Sequence, residues 1–314
     1  MGAFIVRRLI QTVIVLVIVS FIAFSILHLL PGDPVLTMLG MEATPAQVEA
    51  LRHELGLDRP FLVQYAHWFT NVLQGDFGRS IVYRDSVAKM IVKRLPVTFY
   101  LGLIALVIST LISIPAGIIS AVRRGSFLDS VITVSANIGM ATPIFWLGIL
   151  GIYFFALRLG WLPVQGYTSP LNNFWLSTRQ VIMPSICLGI LPLASLTRQT
   201  RSSMLEVIRQ DYIRTARSKG LKERSVITGH ALKNAIIPVI TLLGLQVRNL
   251  VGGSVLVETV FNIPGMGRLM VTGVFDKDFP VVQGCILVIA LVVALANLVV
   301  DISYGFFDPR IRNE

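Results

Sequence analysis

Six stretches of the chain lose almost all polar residues for about the length of a membrane crossing, and the segments between them stay polar and mostly basic. Read as helices, they fall at about Leu9–Leu30, Pro96–Val122, Ile132–Leu157, Val181–Leu196, Ile236–Val257 and Val281–Ser303. A hydrocarbon core of ~30 Å takes roughly 20 apolar residues, which sets the number of crossings at six. The fourth run is the weakest, because Pro184 and Pro192 interrupt it. It predicts a helix packed inside a bundle, where neighbours satisfy the backbone groups that proline frees. The first run is longer than a signal-peptide core and leads into Pro31-Gly-Asp-Pro34 rather than a small-residue cleavage site, so it predicts a retained helix.

The segment 31–95 carries helix signals of its own. Thr44-Pro45 reads as an N-cap with proline at the first helical position, and Gly56 closes that helix. Pro60 opens an amphipathic stretch with Leu62, Tyr65, Ala66, Phe69 and Leu73 on one face, ending at Gly75. Asp85 is placed to cap a third helix, Ser86–Arg94, with Met90 and Ile91 at the membrane interface. The predicted organisation is a cytoplasmic N-terminus and first span (1–30), an extracytoplasmic helical cap (31–95), a transmembrane core (96–303) with a long loop at 198–235, and a cytoplasmic tail (304–314). The fold class is an all-α integral membrane protein with six transmembrane helices. There is no low-complexity tract and no repeat of fixed period.

Composition agrees with that class. The chain is 54% hydrophobic and 14% charged, with a mean hydropathy of +0.74, where soluble domains hold roughly 25% charged residues. Cys187 and Cys285 both fall inside apolar runs and read as small buried residues rather than a disulfide pair. Charge fixes the orientation. With the amino terminus inside, the inner segments hold fifteen Lys and Arg residues, against Arg158, Arg179, Arg268 and Lys277 on the short outer loops. Positive charge marks the cytoplasmic side, which predicts both termini inside.

The strongest single feature is the loop between the fourth and fifth runs. From Arg198 to Lys233 it carries nine Lys and Arg residues against Glu206, Asp211 and Glu223. Leu205, Ile208, Tyr212 and Ala216 recur at helical spacing, with Arg209, Arg214 and Arg217 off that face. Gly220 after Lys219 suits a left-handed helix end, and a second short helix, Lys222 to Asn234, leads back to Pro238. Two readings fit this pattern: a compact protrusion that docks into a partner's groove, or an amphipathic helix lying on anionic lipid.

The segment resembles the cytoplasmic coupling motif of bacterial ABC-importer permeases, Glu-Ala-Ala…Gly…Ile-x-Leu-Pro. Here Arg214-Thr215-Ala216 stands in the first place, Gly220 takes the glycine, and His230-Ala231-Leu232-Lys233 fills the last. Glutamate, isoleucine and proline are replaced, and the replacements are similar to those of the dipeptide/oligopeptide/nickel branch in its B-type permeases. Pro31-Gly-Asp-Pro34, Leu55-Gly-Leu-Asp-Arg-Pro60, Gly75-Asp-Phe-Gly78, Val257-Glu-Thr-Val-Phe261, Pro264-Gly-Met-Gly-Arg268 and Asp308-Pro-Arg-Ile-Arg312 resemble the same branch, in order along the chain.

The resemblance implies a type I importer permease that forms half of a conduit in the cytoplasmic membrane of a bacterium or archaeon. It implies a homologous second permease, two cytoplasmic ATP-binding subunits, an extracytoplasmic binding protein and a short-peptide substrate, with membrane lipid around the whole. On this reading the chain holds no cofactor; ATP and Mg are bound by the partner subunits. Its coupling loop, 204–233, would use Tyr212, Arg214, Thr215, Ala216, Lys219, Gly220, Leu221, His230 and Leu232. Nickel-chelate or glutathione uptake is the alternative within the branch.

Other chemistry is hard to place. There is no Gly-x-x-x-x-Gly-Lys-Ser/Thr phosphate loop. His28, His53, His67 and His230 lack metal-ligand spacing, and no serine or cysteine has a base partner at readable spacing, so no catalytic or metal residue is assigned. The basic loop lacks the interleaved aromatics of a nucleic-acid surface. An ion-coupled secondary transporter would expect carboxylates near the midplane. Instead Asp301 and Glu258 lie near span ends and read as structural, Glu258 following a glycine-rich turn at Gly252-Gly-Ser254. Arg248 falls just beyond mid-membrane. It and Gln246 are the candidate path residues, with a buried structural pairing of Arg248 as the competing reading.

Overall fold

A computed structural model describes residues 2–29, 43–54 and 56–307, with 35 and 39; side chains at 2–4, 26–29, 51, 54, 248–251 and 301–307 lie outside the description. Pro31–Pro34, Leu55 and Asp308–Arg312 therefore lie outside the described residues, as do the side chains of His28, Arg248 and Asp301. The described chain is helical, without strands, in accord with the all-α expectation. It divides into two compact units, Met1–Thr98 with Pro264–Glu314, and Phe99–Ile263.

Among the described residues, five helices are long and apolar enough to cross a membrane: Ile5–Ser25, Val87–Val122, Phe174–Ile208, Glu223–Val247 and Phe279–Val300. The expected third span differs. It is a bent pair, Phe127–Ala141 and Ile144–Arg158, turned by 104°. The turn sits at Thr142-Pro143: proline lacks an N–H and drives its predecessor out of the helical region, and Thr142 is extended at φ −86°, ψ 128°.

In the first unit, the Gly2–Leu29 helix packs along Phe279–Phe307. The local caps read from sequence are present. The Gln47 side chain accepts from the Thr44 amide at 2.9 Å, and Gly56 turns left-handed at φ +66° beyond the Pro45–Glu54 helix. The third short helix does not exist separately: one helix, Val87–Val122, runs through Pro96. Met90 and Ile91 are buried within the protein, in a cluster with Val87, Met266, Leu269, Val281 and Cys285. Phe77 of the Gly75–Gly78 turn packs against that cluster, and Met266 of the Pro264–Arg268 motif lies within it, its amide donating to Thr98 Oγ1 at 2.9 Å. Asp278, fully buried, pins the adjoining turn. It accepts from the Ser80 hydroxyl and from the amides of Ile81 at 3.1 Å and Val82 at 3.3 Å.

In the second unit the Phe174–Ile208 helix is the centre, packed by Leu232–Val260, Phe127–Ala141 and Ile144–Gly151. It runs unbroken through Pro184 and Pro192, with Met183, Pro184, Cys187, Leu188 and Leu196 among its buried residues. Close approach depends on missing side chains. A Cβ at Gly189 would stand 2.9 Å from the Ala105 carbonyl oxygen, and one at Gly117 would stand 2.5 Å from Thr200 Cβ. Small residues at such crossings let helices meet backbone to backbone. The Gly252-Gly-Ser254 stretch is not a turn; the Leu232–Val260 helix continues through it.

Candidate functional site

The basic loop folds onto a small apolar base. Met204, Ile213, Ala216, Val226, Ile227, Ala231 and Ala235 bury together with Ala121 at the end of the Val87–Val122 helix. The long fourth helix ends at Ile208, with Arg209 as its cap and a turn through Gln210. That turn resets the helical phase, so Asp211–Ser218 presents Ile213 and Ala216 inward. The expected face had Tyr212 inward. Tyr212 is instead 42% exposed, its hydroxyl accepting from Asn234 Nδ2 at 2.7 Å.

Gly220 is left-handed at φ +74°, and a Cβ added there would meet nothing within 4 Å. The requirement for glycine here is conformational and not steric. Arg217 and Glu223 close a fork across this turn, Nε to Oε2 at 3.1 Å and Nη2 to Oε1 at 2.7 Å. The hydrogen bond with Glu223 raises the Arg217 pKa above its ordinary value. The segment after Gly220 is not a separate short helix. Glu223–Ser225 passes through a π-helical stretch, Val226–Ala231, directly into Leu232–Val260, and Pro238 is carried inside that helix. Wide turns of this kind recur at functional positions in helices.

The structure thus separates the nine residues read from the sequence. Ala216 lies in the base and Leu232 packs against it. Tyr212, Arg214, Thr215, Lys219, Gly220, Leu221 and His230 are exposed on the outside of the same element. Of the path residues, Gln246 is buried and donates to Ser195 Oγ at 2.8 Å, joining the fourth and fifth helices. Arg248 has its side chain outside the described residues. Glu258 is fully buried, and its carbonyl accepts from the Ile263 amide at 2.8 Å.

Sequence reasoning missed one element of the site altogether. Asp129 takes a guanidinium fork from Arg201, Nε to Oδ1 at 2.8 Å and Nη2 to Oδ2 at 2.9 Å. It also accepts from the Ser120 hydroxyl and from the Gly125 amide at 2.9 Å. The carboxylate therefore ties the Arg123–Ser126 turn to the fourth helix one turn before Met204 of the loop's base. The only local signal was an aspartate in a segment read for its positive charge; nothing near it in sequence points to Arg201, 72 positions on.

Comparison with known proteins closes the identification. Residues 113–313 match the model for the binding-protein-dependent transport system inner membrane component, and residues 1–102 match the N-terminal model of the same system's membrane component. The probable peptide ABC transporter permease protein y4tP of Sinorhizobium fredii is 40% identical, over 99% of this chain and 100% of that protein. The oligopeptide transport system permease protein AppB of Bacillus subtilis is 41% identical over 99% and 100%. The di/tripeptide transport system permease protein DppB of Pseudomonas aeruginosa is 40% identical over the full length of both. The chain belongs to the binding-protein-dependent transport system inner membrane component family. It is a multi-pass membrane permease of the DppB type, and the resemblance read from its short motifs stands.

Proposed function

We propose that this chain is one of two permease subunits of an ATP-driven importer for dipeptides or oligopeptides. A binding protein delivers the substrate on the outer face, two cytoplasmic subunits bind ATP and Mg, and both termini of this chain lie in the cytoplasm. The observation that carries the proposal is the division within the basic loop. Ile213 and Ala216 bury on one side while Arg214, Lys219 and Leu221 stay exposed on the other. A helix anchored by its apolar side and free on its basic side suits a rigid-body docking element. The peptide names of relatives over the whole chain favour peptide over nickel-chelate or glutathione cargo. Arg248 and Gln246 remain the proposed path residues, with the Gln246 bond to Ser195 as a tie between two helices.

Uptake by liposomes holding this chain, the second permease and both ATPases tests the reading. With binding protein, ATP and a labelled dipeptide, accumulation should require all components. Accumulation of a nickel chelate with no peptide uptake would overturn the substrate class. Uptake driven by an ion gradient without ATP would overturn the transporter class.

A further inference from the structure

The helix Phe61–Leu73 stands against the first span at a depth where that span is apolar. The buried Ser20 hydroxyl shares a 2.8 Å hydrogen bond with the Tyr65 hydroxyl. Phe21 packs against Phe61 and Tyr65 with ring centroids 6.0 and 5.2 Å apart, and Phe24 meets Trp68 at 5.3 Å. The apolar run of the span, read from the sequence, ends at Leu30. At 1.5 Å per residue, Phe24 lies about 9 Å and Ser20 about 15 Å inside the end of that run. A helix held clear of the membrane would not reach this level.

The helix has the composition for such a place. Between Arg59 and Asp76 it carries no Lys, Arg, Asp or Glu. At 100° per residue its positions fall into three arcs. Phe61, Tyr65, Trp68 and Val72 share the arc that meets the span. Leu62, Ala66 and Leu73 form an apolar flank beside it, with Leu62 66% and Leu73 73% exposed. His67, Thr70 and Gln74 lie opposite with Val63 among them, all exposed. At the same level the span presents Ile18 and Ile22, 51% and 48% exposed, so the uncovered flank is level with an uncovered membrane-crossing surface.

We propose that Phe61–Leu73 is an interfacial membrane helix. Its Leu62, Ala66 and Leu73 flank seats among the acyl chains of the leaflet at the carboxyl-terminal end of the first span, and its polar arc faces headgroups and water. Helices with one apolar and one polar face lie in the plane of the interface with the apolar face in the acyl chains, and aromatic residues favour that boundary. The Ser20 hydroxyl donates to the Val17 carbonyl at 2.8 Å and so accepts from Tyr65, which fixes the helix to the span and gives the Tyr65 hydroxyl a partner that lipid would not supply.

Nitroxide labels on single cysteines test the proposal in the full-length chain reconstituted into phosphatidylethanolamine/phosphatidylglycerol vesicles. The native cysteines are buried, and a control without added cysteine measures their background. Labels at positions 62, 66 and 73 should collide with dissolved oxygen more than with a water-soluble nickel chelate, and labels at 67, 70 and 74 the reverse. The same pattern should persist when the partner subunits and binding protein are added. Chelate access at all six sites would place the helix in water and overturn the proposal. Loss of both reagents at the flank, alone or on adding partners, would mean that protein covers it and would equally overturn lipid as the occupant. Oxygen access at all six without chelate would make it a fully inserted segment, against the interfacial assignment.

Discussion

Each compact unit fastens a turn with one buried carboxyl group, and the two use different donors. Asp278 accepts from a hydroxyl and two backbone amides contributed by one short turn, Ser80–Val82. Asp129 also takes a hydroxyl and an amide, and adds the Arg201 guanidinium from a helix 72 positions away. The first arrangement is closed by neutral groups of the backbone it holds. The second joins two elements through charge, so removing either partner leaves the other ionised and partly buried. The charged anchor is the one beside the basic loop, where a docking element needs a fixed base.

That contrast sets an order of sensitivities. Arg201→Met should be the most damaging, costing about 3–5 kcal/mol, because Asp129 would stay buried without its counter-charge. Asp129→Asn should cost less, since the Arg201 side chain is 29% exposed against 8% for Asp129 and has water to turn to. Thermal unfolding in detergent measures both, and equal losses would break the asymmetry. Ile213→Ala removes the fully buried contact of the short loop helix and should cost about 2–4 kcal/mol, with proteolysis of the loop as the local readout. Asp278→Asn places a donor where two amides and a hydroxyl need an acceptor, at a cost of about 1–3 kcal/mol. Faster hydrogen exchange confined to 80–83 would sharpen the comparison, while unfolding of the whole unit would weaken it. Gly220→Ala should be smallest, about 1 kcal/mol for the left-handed backbone, as the added methyl meets open space.

What the sequence revealed and what it hid divide along range. The Thr44 cap, the Gly56 and Gly220 helix ends and the apolar runs depend on neighbours within a few residues, and all were legible. Prolines were read unevenly. Pro184 and Pro192 sit inside one packed helix as expected, while Pro96 and Pro238 are also carried inside helices where element boundaries were expected, and Pro143 turns the chain by 104°. Whether a proline breaks a helix depends on what surrounds it, which periodicity does not encode. The inward face of the loop was misread by one residue because the two-residue turn at Arg209–Gln210 shifts the phase. The Asp129–Arg201 pair is long-range, and a charge count by segment averages it away. The Met90 and Ile91 burial is likewise decided by Met266 and Leu269, far along the chain.

In the proposed importer the outer side of the loop, and not its packed side, meets the ATP-binding subunits. Leu221 is 42% exposed beside Gly220 and belongs to no buried cluster described for the loop, so Leu221→Asp separates docking from folding. In the reconstituted transporter, peptide-dependent ATP hydrolysis and uptake should fall together by more than about tenfold, the loss of one interfacial contact worth ~1.4 kcal/mol or more, with the melting temperature of the purified chain unchanged. Wild-type hydrolysis and uptake in Leu221→Asp, with the protein equally stable, would contradict docking through the outer side.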